Sequence, residues 1–254
     1  MIMRYPGIIG LSLWCFLAPA FAQDDYLQES ARKARELLQK ATQAMGGEAF
    51  MSLKDITTNG RYYQFRKDEL QGGSVFETFR KPPHKSRTDF GKKKEIIHIN
   101  DGDKGWKIEY KQVKEQTPEE IESFKASRKH SLDYILRFRL DEPELKLRYL
   151  GQSRLNLEEI EGVELIDKDN DRVKVFISAT SFLPAKMEYT SPAFGKRGPT
   201  EDEEFFYNYH DIQGVQVPFS MVRFSNGYKA LEIRTTGAKV NTGLTDSVFT
   251  PQAK

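Results

Sequence analysis

Carboxylates crowd two short stretches of the chain. Residues 100–103 read Asn-Asp-Gly-Asp, and residues 167–171 read Asp-Lys-Asp-Asn-Asp. Alternating oxygen donors are what a calcium loop uses, together with a fixed glycine and a closing bidentate glutamate. Neither stretch completes that set. After Asp101-Gly102, a strong hairpin dipeptide, apolar alternation resumes at Trp106. In the second stretch Arg172 stands at the glycine position and Ser178 at the glutamate position. Both therefore read as turns. The four histidines, His84, His98, His130 and His210, lie far apart and form no local metal pair. His210 and Asp211 adjoin, but neighbours in a strand point to opposite faces. There is no G-x-S-x-G elbow, no H-E-x-x-H and no glycine-rich phosphate loop. The residue pattern predicts a protein that is not an enzyme, with no metal and no cofactor. A hydrolase whose site is assembled from distant residues remains the chemical alternative.

The two ends of the chain bound the rest. Met1–Arg4 begins with a positive charge, Ile8–Leu17 is apolar, and Ala20-Phe21-Ala22 has the small–x–small pattern of a signal-peptidase site. This reads as a signal peptide over residues 1–22, with cleavage after Ala22 and export to the periplasm. Cys15 follows Trp14, not the small residue a lipobox requires, so it belongs to the discarded segment. A chain processed at that site has no cysteine for a disulfide, a thiolate nucleophile or a metal. Residues 23–254 fit a single domain with a sizeable core. With 39 basic and 37 acidic side chains, charge offers no case for nucleic acid.

The elements follow from periodicity. Leu27, Ala31, Ala34, Leu38, Ala41 and Met45 mark one face of a helix that Gly46-Gly47 would end. From about Ile56 the period becomes two, and roughly ten strands follow, joined by short Gly, Asn and Asp turns. Close spacing without helical crossovers predicts antiparallel pairing. One capped helix interrupts them: Thr117 is the N-cap, Pro118 takes N1, and Glu120 closes a capping box. It is expected to run to about Phe138. Lys125, Arg128 and Lys129 read as its solvated face. Ala193–Glu204 reads as a long polar hairpin loop.

Ten twisted strands curl, and two helices are few to cover the hollow. Trp106, Ile108 and Tyr110 are expected to line one wall of an apolar pocket. Phe124, Leu132 and Ile135 are expected to line the helical lid. A hollow filled by the protein's own side chains would use the same residues.

Three stretches carry a resemblance. They are ATQAMGGEAFMSLKDITTNGRYY, INDGDKGWKIE with the capped helix that follows it, and FFYNYHDIQGVQVPFSMVRFSNG with the closing VNTGLTDSVF. Together they resemble the bacterial outer-membrane lipoprotein-sorting proteins, the group of LolA/LolB-like periplasmic lipoprotein carriers. The resemblance implies an α+β fold, a half-open barrel of about eleven antiparallel strands with helices across its mouth. It further implies a carrier that shields the acyl chains of a lipid or lipoprotein, with transient membrane contact and envelope proteins as partners. The family's arginine latch matches no position here. An envelope interaction module that binds no lipid, using a strand edge or the basic helix face, is the alternative reading.

Overall fold

Thirteen strands make one sheet. The computed structural model describes residues 18–193 and 198–251. The strands are β1 (Ile56–Arg66), β2 (Glu69–Lys81), β3 (Lys85–Phe90), β4 (Ile96–Asp101), β5 (Lys104–Glu109), β6 (Gln112–Glu115), β7 (Lys146–Leu155), β8 (Glu158–Ile166), β9 (Arg172–Ser178), β10 (Pro184–Ser191), β11 (Thr200–Ile212), β12 (Val215–Ser225) and β13 (Tyr228–Val240). Their order is β6-β5-β4-β3-β2-β1-β13-β12-β11-β10-β9-β8-β7, and every pairing is antiparallel. The first and last strands thus meet in the middle, fusing two meanders into a curved, unclosed sheet with β6 and β7 as its edges. Tight turns at Gly102, Gln213-Gly214 and Asn226-Gly227 all have positive φ, the conformation that two-residue hairpins demand.

Helix α1 (Ala18–Ala44) packs on β7 and β8. The expected stripe is buried at Ala34, Leu38, Ala41 and Met45, and Leu37 joins it. Gly46 and Gly47 end the helix at positive φ, before the short α2 (Glu48–Met51). A Cβ on Gly46 would lie 2.2 Å from the Gly214 carbonyl oxygen, so this closure of the helix onto the β11–β12 turn needs glycine. The leader predicted at 1–22, with Cys15, lies outside the described residues as far as residue 17; positions 18–22 open α1. Among the described residues no helix is long and apolar enough to cross a membrane.

The capping box at Thr117 and Glu120 is formed as predicted, but the helix is not continuous to Phe138. It divides into α3 (Pro118–Lys129), α4 (Leu132–Tyr134) and a π-helical turn, Ile135–Arg139. The break falls at Ser131, whose backbone is extended and whose hydroxyl donates to the Arg128 carbonyl oxygen at 2.7 Å. A side chain that bonds its own backbone competes with the helix ladder. These pieces form a strap that links the two edge strands.

Apolar side chains gather in two clusters. The larger joins α1, Phe50, Leu132, Ile135 and Leu136 to the sheet through Val163, Val175, Met187, Phe206 and Val217. The smaller holds Ile97, Ile99, Ile108 and Phe249, with Trp106 and Phe79 against it. Its cover is the C-terminal segment, which ends in a 3-10 turn, Asp246–Phe249, packed on β3 and β4. Asp55 pins that segment. Its carboxylate accepts from the Thr242 amide and hydroxyl, the Gly243 amide and the Leu244 amide, at 2.7–3.2 Å.

Two expectations are corrected. The strand count is thirteen, above both the ten read from periodicity and the eleven implied by resemblance. Residues 200–204, predicted as loop, are the start of β11. Asp202 and Glu204 are buried there because polar partners receive them: Ser191 and Ser225 donate to Asp202, and Tyr189 and Arg223 donate to Glu204.

Candidate functional site

Paired residues in antiparallel strands project to the same side of a sheet, so strand register assigns every side chain to a face. From Val163 in the main core the partners run Val175, Met187, Glu204, Arg223, Leu231 and Gln64. A second row runs Phe206, Met221, Ile233, Tyr62 and Ser74. A third is Phe76 and Phe90 on β2 and β3, and a fourth is Thr78, Thr88, His98 and Lys107. These form the inner face, which α1 and the strap cover.

The cover is uneven. Tyr62, Phe90, Leu231 and Ile233 are only half-buried. With Phe76, they belong to neither packed cluster. They make an apolar floor: the Tyr62 and Phe90 rings meet edge to face at 5.4 Å, and the Phe90 and His98 rings at 5.3 Å. Burial, and then the Lys107 ammonium, pushes the His98 imidazole below its usual range, which favours the neutral ring in this apolar setting.

The other end of the same face is cationic. Arg80 points inward from β2, being the register partner of Ile56. It is exposed to solvent, and desolvation by the atoms around it, then the Arg128 guanidinium, pull its pKa down. The carboxylates that act on it are already engaged. Asp133 pairs with Arg128 at 2.9 Å, and Glu204 pairs with Arg223 at 2.7 Å. Arg80 has no ion-pair partner of its own among the described residues.

The strap is held by charge. Arg139, fully buried on the π-helical turn, pairs with Asp167 at 3.2 Å and with Asp171 at 3.7 Å. Lys129 pairs with both carboxylates, and His130 Nε2 lies 2.9 Å from Asp171. The Asp-rich turn at 167–171 is therefore an anchor for the strap. Its backbone is closed by Asp167, which accepts from the Asp169 and Asp171 amides. Of the predicted basic face, Arg128 is buried against Asp133, Lys125 pairs with Asp103 and Glu122, and Lys129 is bound as described. These three side chains fasten the helix and do not form a free cationic surface.

The six predicted lining residues do not come together. Trp106 and Ile108 oppose Ile99 and Ile97. They lie on the outer face, under Phe249 and the C-terminal segment. The period-two reading correctly placed them on one side but could not tell inner from outer. Tyr110 sits in the β5–β6 turn at positive φ and is 75% exposed. Phe124 is half-buried on α3 and lines a cleft of about 370 Å³ with His84, Asp103 and Tyr134. Leu132 and Ile135 are buried in the main core. The inner-face residues Tyr62, Phe76, Phe90 and Arg80 were not selected from sequence. Their strands mix threonine, arginine and phenylalanine, and face assignment needs the register.

The histidines are dispersed in space as in sequence. His210 stacks on Phe219 at 4.0 Å and His84 lies beside Tyr134. Among the described residues no histidine is bonded to a serine hydroxyl, and no group of three His, Cys, Asp or Glu side chains is placed to hold a metal.

No family model and no curated protein matches the chain. Solved structures do. A domain classed with outer membrane lipoprotein-sorting proteins from Vibrio parahaemolyticus superposes with a TM-score of 0.57 at 16% identity, over 86% of this chain and 97% of its own. A DUF1329 family protein from Desulfovibrio piger gives 0.62 at 14% identity, over 87% and 97%. A LolA superfamily protein from Nitrosomonas europaea gives 0.57 at 14%, over 86% and 97%. The chain thus has the LolA-like fold that the sequence resemblance implied.

Proposed function

We propose that the protein is a periplasmic carrier that shields the acyl chain of a lipid or lipoprotein against the inner face of its sheet. The observation that carries this reading is the apolar floor of half-buried Tyr62, Phe90, Leu231 and Ile233 beside buried Phe76, which lies outside both packed clusters. A floor of that kind gains from contact with hydrocarbon in proportion to the apolar area removed from water. Each methylene transferred contributes about 0.8 kcal/mol before ordering costs.

The face is zoned along β2. From Phe76 to Arg80 is four residues, about 13 Å at strand rise. An extended chain lying on the aromatic floor would bring its head group to an arginine that lacks a carboxylate partner. No covalent step and no cofactor is needed. The fold shared with a lipoprotein-sorting domain and a LolA superfamily protein agrees with this reading. Release requires the strap to yield, and its anchors at Asp167 and Asp171 are the contacts that must break.

The test is binding by delipidated protein of a fluorescent fatty acid, with native mass spectrometry of the protein as first purified. Saturable uptake that Phe90→Asp and Ile233→Asp each weaken is the expected result. No uptake, with no lipid in the native spectrum, would remove the carrier reading.

A further inference from the structure

Antiparallel alternation sends every second turn to the same end of the sheet. The β1–β2, β3–β4, β5–β6 and β12–β13 turns share one end, and the strand order sets them side by side. Large apolar side chains stand exposed along this rim: Leu70 is 60% exposed, Tyr110 75% and Tyr228 50%. Ile96 and Val113 lie exposed beside them. The opposite turns of the same strands, at 82–84, 102–103 and 213–214, carry no exposed large apolar side chain.

The rim is also basic. Arg66, Lys67, Lys92, Lys93 and Lys111 are exposed there, and none takes part in an ion pair among the described residues. The acidic residues among them are Asp68, Glu69, Glu95, Glu109 and Glu115. Asp68 is occupied by the Lys229 amide, and Glu109 lies near Lys114. An amide bond leaves the Asp68 charge in place, so outside the Glu109–Lys114 pair the rim carries five cations and four carboxylates.

We propose that this rim docks on an anionic membrane surface, with Leu70, Tyr110 and Tyr228 entering the interface and the unpaired cations meeting lipid phosphates. Tyrosine has an apolar ring and a polar tip, which suits the headgroup layer. Lysine and arginine beside an anionic leaflet add attraction that salt screens over about 10 Å at 0.1 M. The apolar floor of the inner face leads to the same rim. Phe90 immediately precedes the β3–β4 turn, and Tyr62 lies four residues before Arg66. Docking at this end would set the floor against the bilayer, yet the docking itself does not depend on any cargo.

Vesicle flotation of the processed chain, residues 23–254, tests it. Vesicles containing phosphatidylglycerol should carry the protein, phosphatidylcholine alone should not, and high salt should release it. The combined variant Leu70→Ser, Tyr110→Ser, Tyr228→Ser should bind about ten-fold more weakly. Lys92→Glu with Lys93→Glu should lose the preference for anionic lipid. These positions are exposed, so melting temperatures should stay at the wild-type value, and a melting point that holds separates lost docking from lost fold. Leu157→Ser, at the other end of the sheet, is the control and should bind normally. Equal binding to both vesicle types, wild-type binding by the triple variant, or an equal loss in Leu157→Ser would overturn the proposal. So would sedimentation showing that a second copy of the chain occupies the rim.

Discussion

The His130 imidazole lies against the Tyr189 ring, with 4.6 Å between centroids. This contact joins two charge networks. On one side His130 holds Asp171, which Lys129 and Arg139 also hold. On the other, the Tyr189 hydroxyl donates to Glu204 at 2.8 Å, and Glu204 is paired with Arg223. The strap is therefore keyed to the inner face through a ring contact flanked by ions.

Acid should loosen the strap. Burial raises the Asp171 carboxyl, but the His130 hydrogen bond and the charges of His130, Lys129 and Arg139 outweigh it and bring its pKa down to about 2. A folded-state value below the unfolded one stabilises the fold above the unfolded pKa, and that stability is lost as pH falls through the folded value. The window is thus from about pH 4 down to about pH 2, and the loss is roughly 2 kcal/mol. Protection factors of the 129–139 amides, taken against the intrinsic exchange rate at each pH, should fall across that window in the wild-type chain. In Asp171→Asn they should already be low at neutral pH and change little on acidification. Constant protection factors in the wild type would refute the coupling.

Arg139→Ala should be among the most destabilising single changes. The guanidinium is fully buried and shared by Asp167, Asp171 and Glu142. Removing one member of a buried ion cluster leaves uncompensated charge and costs about 3–5 kcal/mol. Urea denaturation measures it. A loss under 1 kcal/mol, roughly the value of a surface pair, would show that the cluster is open to water.

How far the strap could be read from sequence depends on the kind of interaction. Its start was legible, because Thr117, Pro118 and Glu120 act locally through the backbone. Its break at Ser131 and its anchorage were not, since Asp167 and Arg139 are distant in sequence and meet only when β8 and β9 fold beneath them. The sheet shows the same division. Alternation of Trp106 and Ile108 fixed that they share a side, and the Asp101-Gly102 turn fixed their hairpin. Which side is the inner one depends on the chain of pairings that runs from β5 to the main core. The start of β11 reads as loop in the sequence because inner positions there hold Asp202 and Glu204. Polar side chains in a wet or ion-paired interior give no apolar period to detect.

Asp55→Ala should free the C-terminal segment. Burial raises this carboxyl, but the Thr242 hydroxyl and the amides of Thr242, Leu244 and Gly243 lower it further than burial lifts it. Loss of a charged acceptor serving several donors costs about 2–3 kcal/mol. Trp106, packed under that segment, reports the change directly. Its emission should shift to the red in Asp55→Ala and less so in Asp55→Asn, which keeps one acceptor oxygen. An unshifted spectrum would mean that Phe249 and Val248 hold the segment without the carboxylate.

Two glycines should separate sharply. Gly46 has φ +129° and a Cβ there would meet the Gly214 oxygen at 2.2 Å, whereas Gly102 has φ +60° and open space around it. Gly102→Ala should cost only the left-handed backbone strain, about 1–2 kcal/mol. Gly46→Ala must also break the approach of the helix end to the β11–β12 turn, including the bond from the Gln216 amide to the Met45 carbonyl at 2.9 Å. Each kcal/mol lowers Tm by about 2–4 °C in a domain of this size. Comparable melting points for the two variants would contradict the packing at Gly46.

Arg80 and Arg223 both point to the inner face and should respond in opposite ways to replacement by methionine. Arg223 neutralises Glu204, which is buried, so Arg223→Met strands a carboxylate and should destabilise by about 3–5 kcal/mol. Arg80 forms no ion pair and is exposed, and desolvation with the like charge of Arg128 outweighs the pull of Asp133 and Glu204 on it. Removing this cation relieves the repulsion from Arg128, so Arg80→Met should keep or raise the melting point. The ligand should notice the change instead. If an anionic head group meets Arg80, the variant should bind a long-chain fatty acid about ten-fold more weakly, the 1.4 kcal/mol of one charge-assisted hydrogen bond. Its affinity for the matching fatty alcohol, which has the same tail and no charge, should be unchanged. Equal losses for acid and alcohol would assign Arg80 to the shape of the hollow and not to its charge.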